Sequence, residues 1–121
     1  MREVTATKSY KQLTVWQRAI ELVNAIYEVT KKLPSDERFG LTSQMRRSAI
    51  SIPSNIAEGY KRRSLGEYLQ FLGVADASAA ELETQIIICN QNYPELDFVK
   101  TQSLLIEVQK MLFVLIKNLS N

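Results

Sequence analysis

The stretch Gln44–Gly59, QMRRSAISIPSNIAEG, places charges, amides, hydroxyls and a proline inside a helical pattern. Its apolar residues recur every three or four positions, which is the spacing of one buried helix face. A second face is polar at the same spacing, so the helix presents hydrogen-bonding groups to its surroundings. The apolar set is Leu41, Met45, Ala49, Ile52 and Ile56, and the polar stripe is Gln44, Arg47, Ser51, Asn55 and Glu58.

Pro53 lies in the middle of this pattern. A proline removes one backbone hydrogen bond and clashes with the preceding turn, which costs about 3 kcal/mol in a helix interior. We therefore predict a helix over residues 41–60 that is kinked near Pro53. The alternative is an interruption, after which Ser54 and Asn55 begin a new helix. Gly59 is expected to end the helix.

A first helix is predicted over residues 14–33. Thr14 and Gln17 have the spacing of a capping box, and Pro34 stops the helix because the residue before a proline disfavours helical angles. Its apolar positions form a broad face. The heptad seam is Leu13, Trp16, Ile20, Val23 and Tyr27, widened by Ala19, Leu22, Ile26 and Val29.

The longest predicted helix covers residues 64–91 and opens with a second capping box, Ser64 and Glu67. The residues in the middle of its seam are small, so another helix can approach closely there. They are Ala75, Ala77, Ser78, Ala79 and Ala80. The seam residues follow a regular heptad, which is typical of a helical bundle. They are Tyr68, Leu72, Ala75, Ala79, Leu82, Ile86 and Cys89.

The last helix is predicted over residues 97–119, with Asp97 as its N-cap. It has apolar residues beyond those of its own seam, and self-association is the natural way to bury them. The seam is Phe98, Thr101, Leu105, Val108, Leu112, Leu115 and Leu119, and the additional residues are Leu104, Met111, Phe113, Val114 and Ile116.

Short connections make consecutive helices antiparallel neighbours. The sequence therefore predicts an all-α, up-down-up-down four-helix bundle. Residues 13–120 are expected to form one domain, preceded by a polar tail of residues 1–12.

Composition limits the possible functions. The chain has 121 residues, no histidine and the single Cys89, so the usual metal-ligand sets are missing and no metal or cofactor is expected. No apolar run is long enough for a membrane span or a secretory signal, so we expect a cytoplasmic protein that does not contact membranes.

The charge is uneven although the net charge is only +2. Lys61, Arg62 and Arg63 follow the second helix, whereas residues 64–92 carry four acids and no base. The three cations sit where the next helix begins and form a candidate phosphate site. The alternative is that they only complement the C-terminal dipole of the second helix. Residues that could extend the patch in an oligomer are Arg46, Arg47, Arg2, Lys8 and Lys11.

The polar stripe is interpreted as a structural network or subunit interface, with Arg47 pairing to Glu58, Glu81 or Glu83. Catalysis has no candidate, because Glu81 and Glu83 point to different faces of one helix and no nucleotide-binding or Ser-His-Asp motif is present. The aromatic residues are expected to pack in the core rather than to stack on bases. These are Trp16, Tyr27, Tyr68 and Phe71.

The chain resembles a family of bacterial four-helix-bundle proteins encoded in intervening sequences of ribosomal RNA genes, the S23-like proteins. The residues that carry the resemblance include Leu13–Gln17, Gly40–Gln44, Asn55–Gly59 and Glu81–Gln85. The resemblance implies a ring-like homo-oligomer, a pentamer, and a relation to the accessory variability protein of diversity-generating retroelements. That relative works with a reverse transcriptase and engages nucleic acid through a basic surface.

Together these observations predict a non-enzymatic, oligomeric helical module that binds RNA or DNA backbone as an accessory factor. The alternative is a protein-interaction scaffold that binds no nucleic acid.

Overall fold

The computed structural model describes residues 9–121, which form four α-helices and no strand. The helices are α1 (Thr14–Thr30), α2 (Leu41–Tyr60), α3 (Leu65–Asn92) and α4 (Val99–Ser120). Short 3-10 turns precede α1 and α2, at Tyr10–Gln12 and Ser35–Glu37. The predicted all-α class and the number of helices are confirmed.

The helices pack in chain order around one core. Each helix contacts the next, and α1 also contacts α4, whereas within residues 9–121 the diagonal pairs α1–α3 and α2–α4 make no close backbone approach. The contact between α2 and α3 is the most extensive. This is the arrangement expected for an up-down-up-down bundle.

Three details of the helix ends differ from the prediction. Helix α1 ends at Thr30 rather than residue 33. Thr14 is the first helical residue and does not cap α1, because Leu13 occupies the cap position and the Gln17 side chain donates to the carbonyl of Lys11 at 2.9 Å. Phe98 is the cap residue of α4, although the Asp97 carboxylate accepts from the amide of Val99 at 3.0 Å.

Helix α2 is continuous through Pro53 with the predicted bounds, so the alternative of an interruption is wrong. Pro53 is buried, and packing of both flanking apolar residues, Ile52 and Ile56, offsets the missing backbone hydrogen bond. Asn55 does not begin a new helix. Its side-chain amide donates back to the Ser51 carbonyl at 2.8 Å, within the same helix.

The apolar seams predicted for α2, α3 and α4 face the core, with only Leu41 and Leu115 partly exposed. The seam predicted for α1 does not face the centre of the core. Its five residues, Leu13, Trp16, Ile20, Val23 and Tyr27, are all only partly buried. The core receives the four residues predicted to widen this seam, together with Val15 and Ala25. The four are Ala19, Leu22, Ile26 and Val29. Part of the apolar surface of α1 is therefore left at the edge of the bundle.

Gly59 lies inside α2 and is buried, so it does not end the helix as predicted. It marks a place where α2 approaches α3 closely. A Cβ at this position would lie 2.7 Å from the Cβ of Phe71 and 3.1 Å from Cδ1 of Tyr68. The glycine is needed for this close approach and not for an unusual backbone angle.

A carboxylate clasp joins the start of α2 to the end of α3. One oxygen of Glu37 accepts from the Tyr93 hydroxyl at 2.6 Å, and the other accepts from the Leu41 amide at 3.2 Å. A Cβ on Gly40 would lie 2.8 Å from the carboxylate, so glycine leaves room for the clasp. The hydrogen bond from Tyr93 lowers the pKa of Glu37, and the hydrogen bond to Glu37 raises the pKa of Tyr93 to about 12.

We expect the clasp to make stability dependent on pH at both extremes. Glu37, with a lowered pKa, contributes stability above its ordinary pKa and loses it as the pH falls through the folded-state pKa. Tyr93 contributes fully below its ordinary pKa of about 10 and loses that contribution as the pH rises through about 12. Urea unfolding should therefore show that Tyr93→Phe is less stable than wild type near neutral pH, and that the difference shrinks in acid. The exposed acid Glu95 provides the control Glu95→Gln, and a pH-independent difference for Tyr93→Phe would contradict the clasp.

Candidate nucleic-acid interface

One end of the bundle, here called the basic end, collects cations from all four helices or the segments that flank them. Tyr10 contacts Tyr60, which brings the residues before α1 beside the end of α2. A shared cavity lined by Leu13 and Asn118 places the end of α4 beside the start of α1. The cations of the basic end are Lys11, Lys61, Arg62, Arg63 and Lys117.

The three cations after α2 are not equivalent. Arg62 is held in place, because it donates to Glu58 at 3.0 Å and its guanidinium lies 4.7 Å from the ring centre of Phe71. Lys61 and Arg63 are exposed, and no acid among residues 9–121 lies within ion-pairing distance of either. Of these three cations, Lys61 and Arg63 are therefore better able than Arg62 to bind a phosphate.

The start of α3 offers a phosphate fewer free N–H donors and less positive charge than the sequence predicts. The Ser64 hydroxyl accepts from the Glu67 amide at 3.1 Å, which confirms the predicted cap and occupies one of the donors at the helix start. Glu67 also adds a negative charge to this first turn. Phosphate binding at this end depends mainly on the lysine and arginine side chains.

Arg46 and Arg47 lie elsewhere on the protomer. Arg47 lies fourteen positions before Lys61, which is roughly 21 Å along a helix. The Nε of Arg46 donates to Thr30 at 3.0 Å, and its guanidinium packs 4.4 Å from the ring centre of Tyr27. The two arginines therefore do not extend the patch formed by residues 61–63 within one protomer. Lys11 belongs to the basic end, whereas Arg2 and Lys8 lie outside the described residues.

Part of the polar stripe forms a network between α2 and α3. The hydroxyls of Ser51 and Ser78 lie 2.7 Å apart, and the Asn55 amide donates to the Ser51 hydroxyl at 2.9 Å. This contact confirms that the small residues of α3 allow a close helix approach. Within residues 9–121 Arg47 forms none of the three predicted ion pairs, because Glu58 pairs with Arg62 instead. Gln44, Arg47, Glu58 and Glu81 are exposed on the outside of the bundle.

Three residues that matter to these sites are not predicted by the sequence pattern. Ser78 is predicted only as a small residue of the α3 seam. It is buried, a buried hydroxyl needs a hydrogen-bond partner, and its partner is the Ser51 hydroxyl. Tyr10 is predicted to belong to the polar tail, yet its ring centre lies 5.5 Å from the ring centre of Trp16. Lys117 becomes part of the basic end only through the antiparallel fold, and no local signal could have shown it.

The described part of the chain contains no group of three or more histidine, cysteine or acidic residues placed to hold a metal ion. Cys89 is buried in the α3 seam, as predicted, and burial raises the pKa of its thiol. No helix in residues 9–121 is both long enough and apolar enough to cross a membrane.

The architecture and the charge distribution define a class of protein, an all-α bundle of four antiparallel helices with one basic end. The family model described as 23S rRNA-intervening sequence protein matches residues 11–114. The chain therefore belongs to the 23S rRNA-intervening sequence protein family. No curated protein matches it significantly.

Proposed function

We propose that this protein is a non-enzymatic, self-associating module that binds the phosphate backbone of nucleic acid through its basic end. The observation that carries the proposal is the pair of unneutralised cations, Lys61 and Arg63, beside the fixed guanidinium of Arg62. Cations that already lack an acidic partner bind phosphate without first breaking an ion pair. Lys11 and Lys117 add charge to the same end.

The opposite end of the bundle carries mixed charges, which argues against a uniformly basic surface. Lys31 pairs with Glu28 at 3.4 Å, and Lys32 lines a groove with Glu28 and Asp97. An acid beside each cation weakens attraction for phosphate. The proposal therefore assigns nucleic-acid binding to one end only.

This difference between the ends provides a matched test. We expect the double variant Lys61→Ala with Arg63→Ala to bind a labelled oligonucleotide at least about tenfold more weakly in near-physiological salt, because two phosphate contacts are lost. Arg62 is left unchanged, since its contacts with Glu58 and Phe71 are structural. Fluorescence anisotropy measures the affinity.

The control removes two cations from the other end, Lys31→Ala with Lys32→Ala. It should bind the oligonucleotide nearly as well as the wild type. Equal losses in the two double variants would mean that binding follows net charge and not the basic end.

Self-association is the second part of the proposal, and it rests on an apolar surface of α3 and α4. Ile87, Ile106, Phe113 and Val114 are each at least 49% exposed, and two adjoining cavities connect them along α4. A surface of this kind is typical of a protein interface. We propose that further copies of the chain cover it in a ring-like homo-oligomer, with a pentamer as the expected size from the family resemblance.

A protein scaffold that binds no nucleic acid is the second candidate, and the same apolar surface favours it. The family resemblance suggests a reverse transcriptase as the protein partner. Co-purification with such an enzyme from the native host tests this partner, and recovery that is unchanged in the Lys61→Ala, Arg63→Ala variant would favour the scaffold.

A further inference from the structure

The side of the bundle between α1 and α2 contains a groove that the core does not fill. We call it the aromatic groove, and its walls include Tyr10, Trp16, Ile20, Val23, Ile50 and Pro53. It exists because the stripe of Trp16, Ile20 and Val23 lies at the edge of the bundle while the neighbouring stripe of α1 fills the core. Its volume of about 280 Å³ is near the lower end of sites for small organic groups.

Aromatic rings form one end of this groove. The ring centres of Tyr10 and Trp16 are 5.5 Å apart with an angle of 65° between their planes, and Tyr10 packs on Tyr60 at 6.5 Å. Rings set at such angles form a corner, and an entering planar group can stack on one ring while its edge meets another. Trp16 packs against the edge of the core, but Trp16 and Tyr10 are both partly exposed, so part of each ring remains accessible from the groove.

The same rings adjoin the cations of the basic end. Lys11 follows Tyr10 in the chain and Lys61 follows Tyr60, so the contact between the two rings places both lysines within one residue of the rings at this end of the groove, although neither lysine lines it. The one acid nearby in α2, Glu58, is paired with Arg62. The groove therefore combines an uncharged aromatic wall with unneutralised cations at its end.

We infer that the aromatic groove holds an unpaired base of single-stranded nucleic acid, RNA or DNA, whose phosphates contact the basic end. Aromatic rings beside cations bind single strands in this way, since every base has a face that can stack. A duplex keeps its bases stacked on each other, so no base face is available to enter the groove. This inference rests on the proposed function and adds a preference for single strands over duplexes.

Two properties of the chain make the inference testable. Trp16 is its single tryptophan, so any change in tryptophan fluorescence reports on the groove. Tyr10 lies outside the four helices, so Tyr10→Ala leaves the core of the bundle unchanged. Phe39 provides the matched control Phe39→Ala, because it is 87% exposed and lies 5.6 Å from the Arg38 guanidinium, at the opposite end.

The experiment titrates the wild type and both variants with a 20-nucleotide oligothymidylate and with a duplex of 20 base pairs. We expect the single strand to quench Trp16 fluorescence and to bind more tightly than the duplex. Tyr10→Ala should weaken single-strand binding by about 5- to 100-fold, the loss of one base–aromatic stack, and leave duplex binding unchanged. Phe39→Ala should resemble the wild type.

Different outcomes overturn different claims. Equal binding of single strand and duplex, with Tyr10→Ala unchanged, would overturn the inference and leave the proposed function standing. No saturable binding of either nucleic acid would overturn both. If Tyr10→Ala instead reduces self-association in sedimentation experiments and leaves single-strand binding intact, the groove holds a second copy of the chain and the inference is wrong.

Discussion

Replacing Gly59 with alanine is expected to destabilise the protein by about 1–3 kcal/mol, the usual effect of overpacking a well-packed contact. The added methyl would lie 2.7 Å from the Cβ of Phe71 and 3.2 Å from the carbonyl oxygen of Tyr68. Neither atom belongs to the flexible end of a side chain, so α2 and α3 must move apart. The separation would also strain the contact of Ser51 with Ser78. Alanine favours a helix by about 1 kcal/mol over glycine, and the steric effect must exceed this gain.

Gly73 supplies the control for the same substitution. It is an exposed residue in the interior of α3, and a Cβ there has no atom within 4 Å. Gly73→Ala should therefore stabilise the protein by up to about 1 kcal/mol through helix propensity alone. Urea unfolding measures both variants. Similar stabilisation by the two substitutions would contradict the close approach of α2 to α3 at Gly59.

The second large effect concerns assembly. The double variant Ile106→Asp with Phe113→Asp is expected to weaken self-association by at least about 30-fold, because two charges would enter an apolar interface and hot-spot residues contribute about 2 kcal/mol or more. Both residues are exposed in the protomer, at 49% and 67%, so the monomeric variant should keep the helix content of the wild type in far-UV circular dichroism.

Val99→Asp is the matched control for assembly. Val99 is the first residue of α4 and is 73% exposed; it lies seven residues before Ile106 and lines neither of the two cavities that connect the apolar surface. Analytical ultracentrifugation at micromolar concentration should show an assembly for the wild type and for Val99→Asp, and monomers for the double variant. A wild-type protein that is already monomeric would contradict self-association, and an intact assembly of the double variant would place the interface elsewhere.

The helices were predictable because their sequence patterns are regular. The heptads of α3 and α4 each have a regular seam, so the buried side could be read from the spacing even though α4 has further apolar residues outside its seam. Helix α1 has two neighbouring apolar stripes, and spacing alone does not say which one faces the core. The fold decides this through packing against α2 and α4, and the choice creates the aromatic groove at the unused stripe.

The candidate site was less predictable, because it depends on which distant residues the fold brings together. Lys61, Arg62 and Arg63 are adjacent in the sequence and were readily found. Arg46 and Arg47 are basic as well, but α2 carries them roughly 21 Å away from Lys61. Local patterns also do not reveal ion pairing. Glu58 and Arg62 are one helical turn apart and form an ion pair, whereas none of the ion pairs predicted for Arg47 is formed among the described residues.

The central claim is that the basic end binds nucleic-acid phosphate, and the salt dependence of binding tests it most directly. The measurement is the affinity of the wild type and of the Lys61→Ala, Arg63→Ala variant for oligothymidylate between 50 and 200 mM salt, plotted on logarithmic axes. Each lost phosphate contact to a single strand should reduce the slope by about 0.7, so the variant should show a slope shallower by about 1.4. An identical slope for the two proteins, or affinity that does not change with salt, would contradict the account.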